Sequence, residues 1–107
     1  MFTEVVLFYS PNAFGTVDAI AYRYRLLEIS DLKTGVTRVS EHQLEVYAAL
    51  FCLEYEIDPF SLRGIHLRIY KDGRVYEYDA DPNFIKGIMD KIVQFDQILN
   101  QLREEVS

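Results

Sequence analysis

The chain contains no tryptophan and only one cysteine, Cys52. A single cysteine cannot form a disulfide within the chain, and its use fits a reducing compartment. It also cannot supply the four thiolates that hold an iron–sulfur cluster, so no such cluster is expected. Because Leu50, Phe51 and Leu53 lie around it in the sequence, Cys52 is interpreted as a filler of the hydrophobic core.

Long apolar runs and targeting signals are also missing. No stretch approaches the roughly 18 apolar residues of a membrane span, and Glu4 interrupts the first apolar segment, where a signal peptide would be continuous. The sequence therefore predicts a soluble, cytoplasmic protein with no membrane partner. Half of the 107 residues are hydrophobic and 14% are aromatic, enough for one domain spanning residues 1–107.

Basic residues are few, with 11 Lys and Arg against 17 Asp and Glu and a formal net charge of −6. Nucleic-acid-binding proteins normally present a basic face. Most of the basic residues nevertheless fall between positions 23 and 74, namely Arg23, Arg25, Lys33, Arg38, Arg63, Arg68, Lys71 and Arg74. Two interpretations stay open: a local basic rim in this part of the chain, or scattered solvated charge among interleaved acids.

Hydrophobic periodicity and turn residues predict an α+β fold with a mixed sheet, one central helix and a long C-terminal helix. The predicted strands cover residues 5–9, 15–22, 26–33, 65–70 and 75–78. The first helix is predicted from Ser40 to about residue 55 or 56, and the second over about residues 81–105, with Asp81 as N-cap and Pro82 at its first position. The core then spans residues 4–80. The turn at residues 23–25 has no Gly, Pro or Asn, so it is not placed.

The C-terminal helix carries apolar residues at alternating three- and four-residue spacings, namely Ile85, Ile88, Ile92, Phe95, Leu99, Leu102 and Val106. Such spacing is typical of a heptad seam. Its length of roughly 33 Å, at about 1.5 Å per residue, exceeds what a small sheet needs. The surplus predicts a homo-oligomer formed through this helix; the alternative is an end that frays or packs within the monomer.

Two predicted strands each carry an acid where a core strand would prefer an apolar residue: Asp18 in the second and Asp31 in the third. Lys33 follows Asp31 by two positions, so both side chains point to one face, roughly 7 Å apart. If the two strands form a hairpin, Asp18 lies across from Asp31. The result is a cluster of two carboxylates and one ammonium at the end of the sheet.

Neighbouring carboxylates repel each other unless a cation lies between them. Mg²⁺ prefers oxygen ligands, keeps several waters and often needs only one or two protein carboxylates. A lysine beside it can hold a water or stabilise charge developing on a phosphate. The cluster therefore predicts metal-dependent hydrolysis of phosphodiesters.

Three sequence pieces occur in a fixed order: Gly15-Thr16-Val17-Asp18, then Ile29-Ser30-Asp31-Leu32-Lys33-Thr34-Gly35, then a helix opening that contains Gln43 and Tyr47. Together they resemble the RecB-like branch of the PD-(D/E)XK nuclease superfamily, small phage-encoded members in particular. The resemblance covers about residues 5–78. It implies a minimal restriction-endonuclease-like core and a DNA substrate, in the host cell cytoplasm if the chain is phage-encoded.

By that resemblance, Asp18 and Asp31 are ligands of Mg²⁺ or Mn²⁺, and Leu32 adds its backbone carbonyl. Lys33 is the catalytic lysine, and Gln43 and Tyr47 help to position DNA. Gln43 has a structural alternative, because Ser40 and Gln43 also fit a capping box. Tyr47 has one too, as a core residue with its hydroxyl at the edge.

Nucleases of this kind normally have a helix before the first strand, and no room for it precedes Glu4. Either a partner subunit supplies it, or the site works without it, or the machinery is incomplete; Glu4 itself is a candidate substitute acid. The leading hypothesis is a metal-dependent deoxyribonuclease in phage or mobile-element recombination, repair or DNA processing. The alternatives are a catalytically incomplete nuclease-fold module for DNA binding or protein assembly, and an unrelated α+β protein.

Overall fold

The computed structural model describes residues 2–33 and 41–106, with only the backbone described for residues 2–4 and 106. The predicted capping by Ser40, the motif residues Thr34 and Gly35, and the Glu4 side chain lie outside this description. The elements, in chain order, are the strands β1 Phe2–Ser10, β2 Ala13–Arg23 and β3 Leu26–Leu32, the helix α1 Glu41–Glu54, a short 3-10 turn at Pro59–Ser61, the strands β4 Gly64–Lys71 and β5 Arg74–Asp79, and the helix α2 Pro82–Val106.

The five strands form one mixed sheet in the order β1-β2-β3-β4-β5. All neighbours are antiparallel except β3 and β4, which run parallel from Leu26 opposite Gly64 to Leu32 opposite Tyr70. Parallel neighbours need a crossover, and α1 lies in the connection between them. The predicted α+β class, mixed sheet, central helix and long C-terminal helix are confirmed.

One face of the sheet, the helix face, holds the hydrophobic core. Alternating residues of the two central strands are buried there, including Leu27 and Ile29 in β3 and Leu67 and Ile69 in β4. From α1 the buried residues are Leu44, Ala48, Ala49, Leu50, Phe51 and Cys52. Burial raises the pKa of the Cys52 thiol to about 11, which agrees with its predicted place in the core.

The other face of the sheet, the open face, carries charge at its centre and apolar side chains toward one end. Arg68 contacts Glu28 at 3.1 Å and Glu77 at 3.0 Å across three neighbouring strands. Val6, Phe8 and Phe14 are exposed on the first hairpin. Opposite charges directly across strands stabilise a sheet only modestly, so this face is held mainly by its backbone ladder.

Burial along β2 does not follow a strict two-residue alternation. Val17 and Ile20 are both buried although they are three residues apart. The pairing of β1 with β2 keeps one register from Phe2 opposite Ile20 to Phe8 opposite Phe14, and its irregularity lies between Phe8 and Ser10. The ladder between β2 and β3 ends at Ala19 opposite Ser30, so Asp18 lies one residue beyond the last pair.

The described part of the sheet has three hairpin turns, and two of them contain residues with positive φ but differ in chemistry. Asp72 and Gly73 both have positive φ, 53° and 73°, the conformation predicted for an Asp-Gly hairpin. Tyr24 and Arg25 also have positive φ, 52° and 62°. This second turn could not be placed from the sequence, because neither residue favours the left-handed region.

The helix α2 is buried at its start and exposed toward its end. The Asp81 carboxylate accepts from the Asn83 N–H at 2.9 Å and Pro82 is the first helical residue, as predicted. Ile85 is fully buried, whereas the exposed fractions are 67% for Phe95, 47% for Ile98 and 50% for Leu102. Within the described residues, the stripe is therefore buried at its start and largely exposed on its later turns.

Asp96 ties the middle of α2 to the first hairpin. Its Oδ1 accepts from Ser10 Oγ at 2.5 Å and from Asn12 Nδ2 at 2.9 Å. On the other side of the hairpin, the N–H of Phe8 donates to Glu54 Oε2 of α1 at 3.2 Å. Both helices thus hold the strand at the edge of the sheet by polar contacts.

Within the described ranges, neither helix has the combination of length and apolar composition needed to cross a membrane.

Candidate metal and phosphodiester site

The two candidate metal ligands meet where β2 and β3 separate. The antiparallel register places Asp18 opposite Asp31, one step beyond the last paired residues, and the two carboxylates lie close enough for each to shift the pKa of the other. Asp31 follows Leu27 and Ile29 on the helix face, so its side chain is only 13% exposed. The predicted encounter of the two acids is present in the structure.

Asp18 also completes the backbone ladder. Its Oδ2 accepts from the Leu32 N–H at 2.8 Å, a donor that would otherwise lose its partner at the separation of the strands. No local pattern in the sequence predicts this bond. Asp18 therefore has a structural role whether or not it binds a cation.

The proximity of the two carboxylates shifts their pKa values in opposite directions. Burial raises the pKa of Asp31 and the contact with Asp18 raises it further, against the opposing effect of Lys33. The contact with Asp31 lowers the pKa of Asp18, and the Leu32 N–H lowers it again. A cation placed between the carboxylates would favour their charged forms and oppose the rise in the pKa of Asp31.

Lys33 connects the acids to the helix. Its Nζ lies 2.7 Å from Asp31 Oδ2 and donates to Gln43 Oε1 at 3.0 Å. Its backbone N–H donates to the Tyr70 carbonyl at 2.9 Å, which fixes the residue to the end of β4. The ammonium is thus held against a carboxylate with its side chain only 15% exposed.

Gln43 and Tyr47 complete the arrangement from the first turns of α1. Gln43 Nε2 donates to the Tyr47 hydroxyl at 2.9 Å, and the two residues lie one helical turn apart. Both polar groups of the Gln43 side chain are engaged with Lys33 and Tyr47. The Tyr47 ring packs against the core, as its structural interpretation predicts, and its hydroxyl lies at the edge.

We call Asp18, Asp31, Lys33, Gln43 and Tyr47 the five-residue cluster. The chain of contacts runs from Asp18 through Asp31, Lys33 and Gln43 to Tyr47. Their proximity follows from the topology, because α1 follows β3 in the chain. The start of α1 therefore lies near the end of β3. The roles predicted for these residues remain predictions.

Gly15 also belongs to this neighbourhood, because it lies against the Tyr47 ring. A Cβ at this position would lie 2.6 Å from Tyr47 Cε1 and 3.7 Å from Leu50 Cδ1. Only a residue without a side chain leaves room for the tyrosine ring there. The partner ring could not be deduced from the sequence, because the contact joins two elements far apart along the chain.

The donor atoms present suit a hydrated hard cation. Among the described residues, no three His, Cys, Asp or Glu side chains form a group that could hold a metal ion. Two adjacent carboxylates, one of them with a raised pKa, fit Mg²⁺ or Mn²⁺ that keeps most of its waters. For Leu32 the structure shows the N–H bound to Asp18; the part predicted for its carbonyl stays a prediction.

Comparisons with models of protein families, with curated proteins and with solved structures found no match to this chain.

Proposed function

We propose that the chain is a metal-dependent deoxyribonuclease of RecB-like type with a minimal restriction-endonuclease-like core. The observation that carries the proposal is the connected five-residue cluster, which brings together three separate sequence pieces at one end of the sheet. The mixed sheet with a single central helix between two parallel strands supports it. Phage or mobile-element recombination, repair or DNA processing would use such an activity.

The side chains have separable roles in this proposal. Asp18 and Asp31 hold Mg²⁺ or Mn²⁺, which when bound neutralises phosphate charge and makes a water more acidic. Lys33 holds its proton at Nζ and orients the attacking water or stabilises negative charge on the phosphate. Gln43 holds the ammonium in place, and together with Tyr47 it faces the DNA backbone.

A noncatalytic nuclease-fold module for DNA binding or assembly is the second candidate. It is favoured by the internal satisfaction of the site: Asp18 accepts from a backbone N–H and Asp31 pairs with Lys33. No buried side-chain nitrogen or oxygen lacks a partner in the described part of the chain. A cluster that is complete on its own needs no cation to stabilise the fold.

Cleavage of linear duplex and single-stranded DNA in the presence of Mg²⁺ or Mn²⁺ separates the two candidates. The nuclease proposal expects metal-dependent cleavage that is lost in Asp31→Asn and in Lys33→Ala. Asp79→Asn and Lys86→Ala, exposed residues outside the cluster, are matched controls that should retain it. Wild-type protein that cleaves neither substrate with either metal would favour the noncatalytic module.

Thermal melts test metal binding by its effect on stability, without relying on DNA cleavage. Asp31→Asn removes a carboxylate whose pKa is raised by burial and leaves an amide that can donate to Asp18, so the metal-free variant should be at least as stable as wild type. Wild type should gain about 2.7 kcal/mol of stability at one hundred times the metal Kd, and Asp31→Asn should lose most of this gain. Lys33→Ala should keep the metal response, because an ammonium is not a ligand.

A structural role for Asp31 predicts the reverse pattern. The metal-free Asp31→Asn protein would then lose about 1 kcal/mol or more through missing hydrogen bonds, and metal would shift none of the three melts. That result would argue against the cation site.

A further inference from the structure

A hollow opens on the open face of the sheet, at the turn between β2 and β3. Its volume is about 640 Å³. The residues that line it are Ala21, Tyr22, Arg23, Tyr24, Leu26, Glu28 and Arg63. Two arginines and two tyrosines thus surround one concave surface in a chain whose net charge is −6.

The arginines of this hollow are available for an anion. Arg23 and Arg63 are exposed, and no ion pair within the described residues involves either guanidinium. Glu28 is the only acid in the lining, and its Oε2 is bound by Arg68 at 3.1 Å. The local charge of the hollow is therefore positive despite the acidity of the whole chain.

The turn displays Tyr24 in an unusual conformation. Tyr24 and Arg25 occupy the left-handed region, which costs non-glycine residues free energy and is tolerated only when the surrounding structure fixes it. Here the Arg63 N–H donates to the Arg25 carbonyl at 2.7 Å, locking the turn to the segment before β4. The result is a tyrosine that is 78% exposed beside two arginines.

We propose that this hollow binds single-stranded nucleic acid, with a base stacked on Tyr24 and backbone phosphates on Arg23 and Arg63. Exposed aromatic rings beside guanidinium groups are the elements by which proteins bind single strands without reading sequence. A free base in a single strand can reach the ring, whereas bases in a duplex are already stacked. A single strand therefore fits this surface better than a duplex does.

The hollow is separate from the five-residue cluster. It lies at the start of β3 and on the open face, whereas Asp31 and Lys33 lie at the end of β3, roughly 20 Å away at about 3.3 Å per residue, and Asp31 faces the helices. A short strand bound in the hollow does not reach the carboxylates along a straight path. Binding in the hollow is therefore independent of the proposed nuclease activity.

Fluorescence anisotropy with a labelled oligothymidylate of about 12 nucleotides tests the proposal, in chelator and without divalent metal so that cleavage plays no part. Wild type should bind, and Tyr24→Ala should weaken the Kd by about fivefold or more, because stacking of one base contributes about 1–3 kcal/mol. In the double variant Arg23→Ala, Arg63→Ala, the slope of log K against log salt should fall by about 1.4, about 0.7 per lost phosphate contact.

Two further variants keep the test independent of folding. Tyr24→Gly removes the ring at a position whose φ of 52° glycine adopts without strain, so it should bind as weakly as Tyr24→Ala while its melting temperature is not lowered. Tyr24→Phe keeps the ring and should bind like wild type. Lys91→Ala, on the exposed side of α2, is the matched charge control.

The Asp90→Asn variant, changed on α2 outside both the hollow and the five-residue cluster, should bind the oligonucleotide as tightly as wild type. Wild type that does not bind, a duplex bound more tightly than the single strand, or affinity lost in Lys33→Ala but retained in the Tyr24 and arginine variants would overturn the inference. The last outcome would place the strand on the five-residue cluster instead.

Discussion

At the scale of single residues, the geometry of the five-residue cluster depends on Gly15 having no side chain. The Tyr47 ring occupies the space that a Cβ of residue 15 would need. The Tyr47 hydroxyl accepts a hydrogen bond from Gln43 Nε2, and Gln43 Oε1 accepts one from Lys33 Nζ. A displacement of the ring is therefore passed to the ammonium through two hydrogen bonds. Gly15 acts as a positioning residue for Lys33.

Gly15→Ala should destabilise the fold by about 1–3 kcal/mol, the range for inserting a methyl group into a packed site. Gly87→Ala is the matched control, because nothing lies within 4 Å of a Cβ at this position in α2, and alanine there should stabilise the protein by up to about 1 kcal/mol. Urea denaturation measures both changes. Equal stabilities for Gly15→Ala and wild type would show that the ring has room to move away.

At the scale of elements, hydrogen bonds to Asp96 hold α2 to the first hairpin. The bonds from Ser10 and Asn12 lower the pKa of Asp96 from its usual value of 3.8. A carboxylate with a lowered pKa in the folded state stabilises the fold above its unfolded pKa, and this contribution disappears as the pH falls through the lowered folded value. The contact between the helix and the hairpin should therefore weaken only in acid.

Asp96→Asn should lower the melting temperature near neutral pH and should show a smaller further drop below about pH 4 than wild type does. Asp90→Asn is the control, because Asp90 pairs with Lys86 within the same helix and such pairs contribute little. Melting curves across the acid range compare the three proteins. If the melting temperatures of wild type and Asp96→Asn changed with pH in parallel, Asp96 would not stabilise the contact between α2 and the first hairpin.

The sequence predicted the elements whose pattern is local and missed features that depend on distant contacts. Alternation placed Asp31 and Lys33 on one face, and strand pairing placed Asp18 across from them. The turn at Tyr24 and Arg25 carries no local signal, since its left-handed backbone is held by Arg63 from another part of the chain. The first helix is predicted to reach about residue 55 or 56, but α1 ends at Glu54 and Tyr55 is 54% exposed.

At the scale of the whole molecule, the apolar stripe of α2 extends beyond the domain that it covers. Ile85 and Met89 are buried, whereas Phe95, Ile98 and Leu102 are exposed on the later turns. Exposed apolar residues at helical spacing are typical of an interface between helices. We therefore expect a homodimer or a higher closed oligomer built on this half of α2.

Light scattering at micromolar concentration should show a mass above that of one 12.5 kDa chain. The double variant Phe95→Glu, Leu102→Glu places charge in the stripe and should lower the mass to that of the monomer. Phe14→Glu, an equally exposed aromatic residue on the open face, is the comparison and should leave the assembly intact. A monomeric wild type, or an assembly dissociated by Phe14→Glu alone, would contradict an interface on α2.

The bond between the Phe8 N–H and Glu54 also bears on colloidal behaviour. β1 is an edge strand with exposed Val6 and Phe8, and unpaired edges of this kind recruit further chains into fibrous aggregates. Glu54 covers one edge N–H and sets a negative charge beside it. Glu54→Ala should thus make concentrated, folded protein turn turbid sooner than wild type, whereas Glu41→Ala, at the opposite end of the same helix, should leave the solution clear.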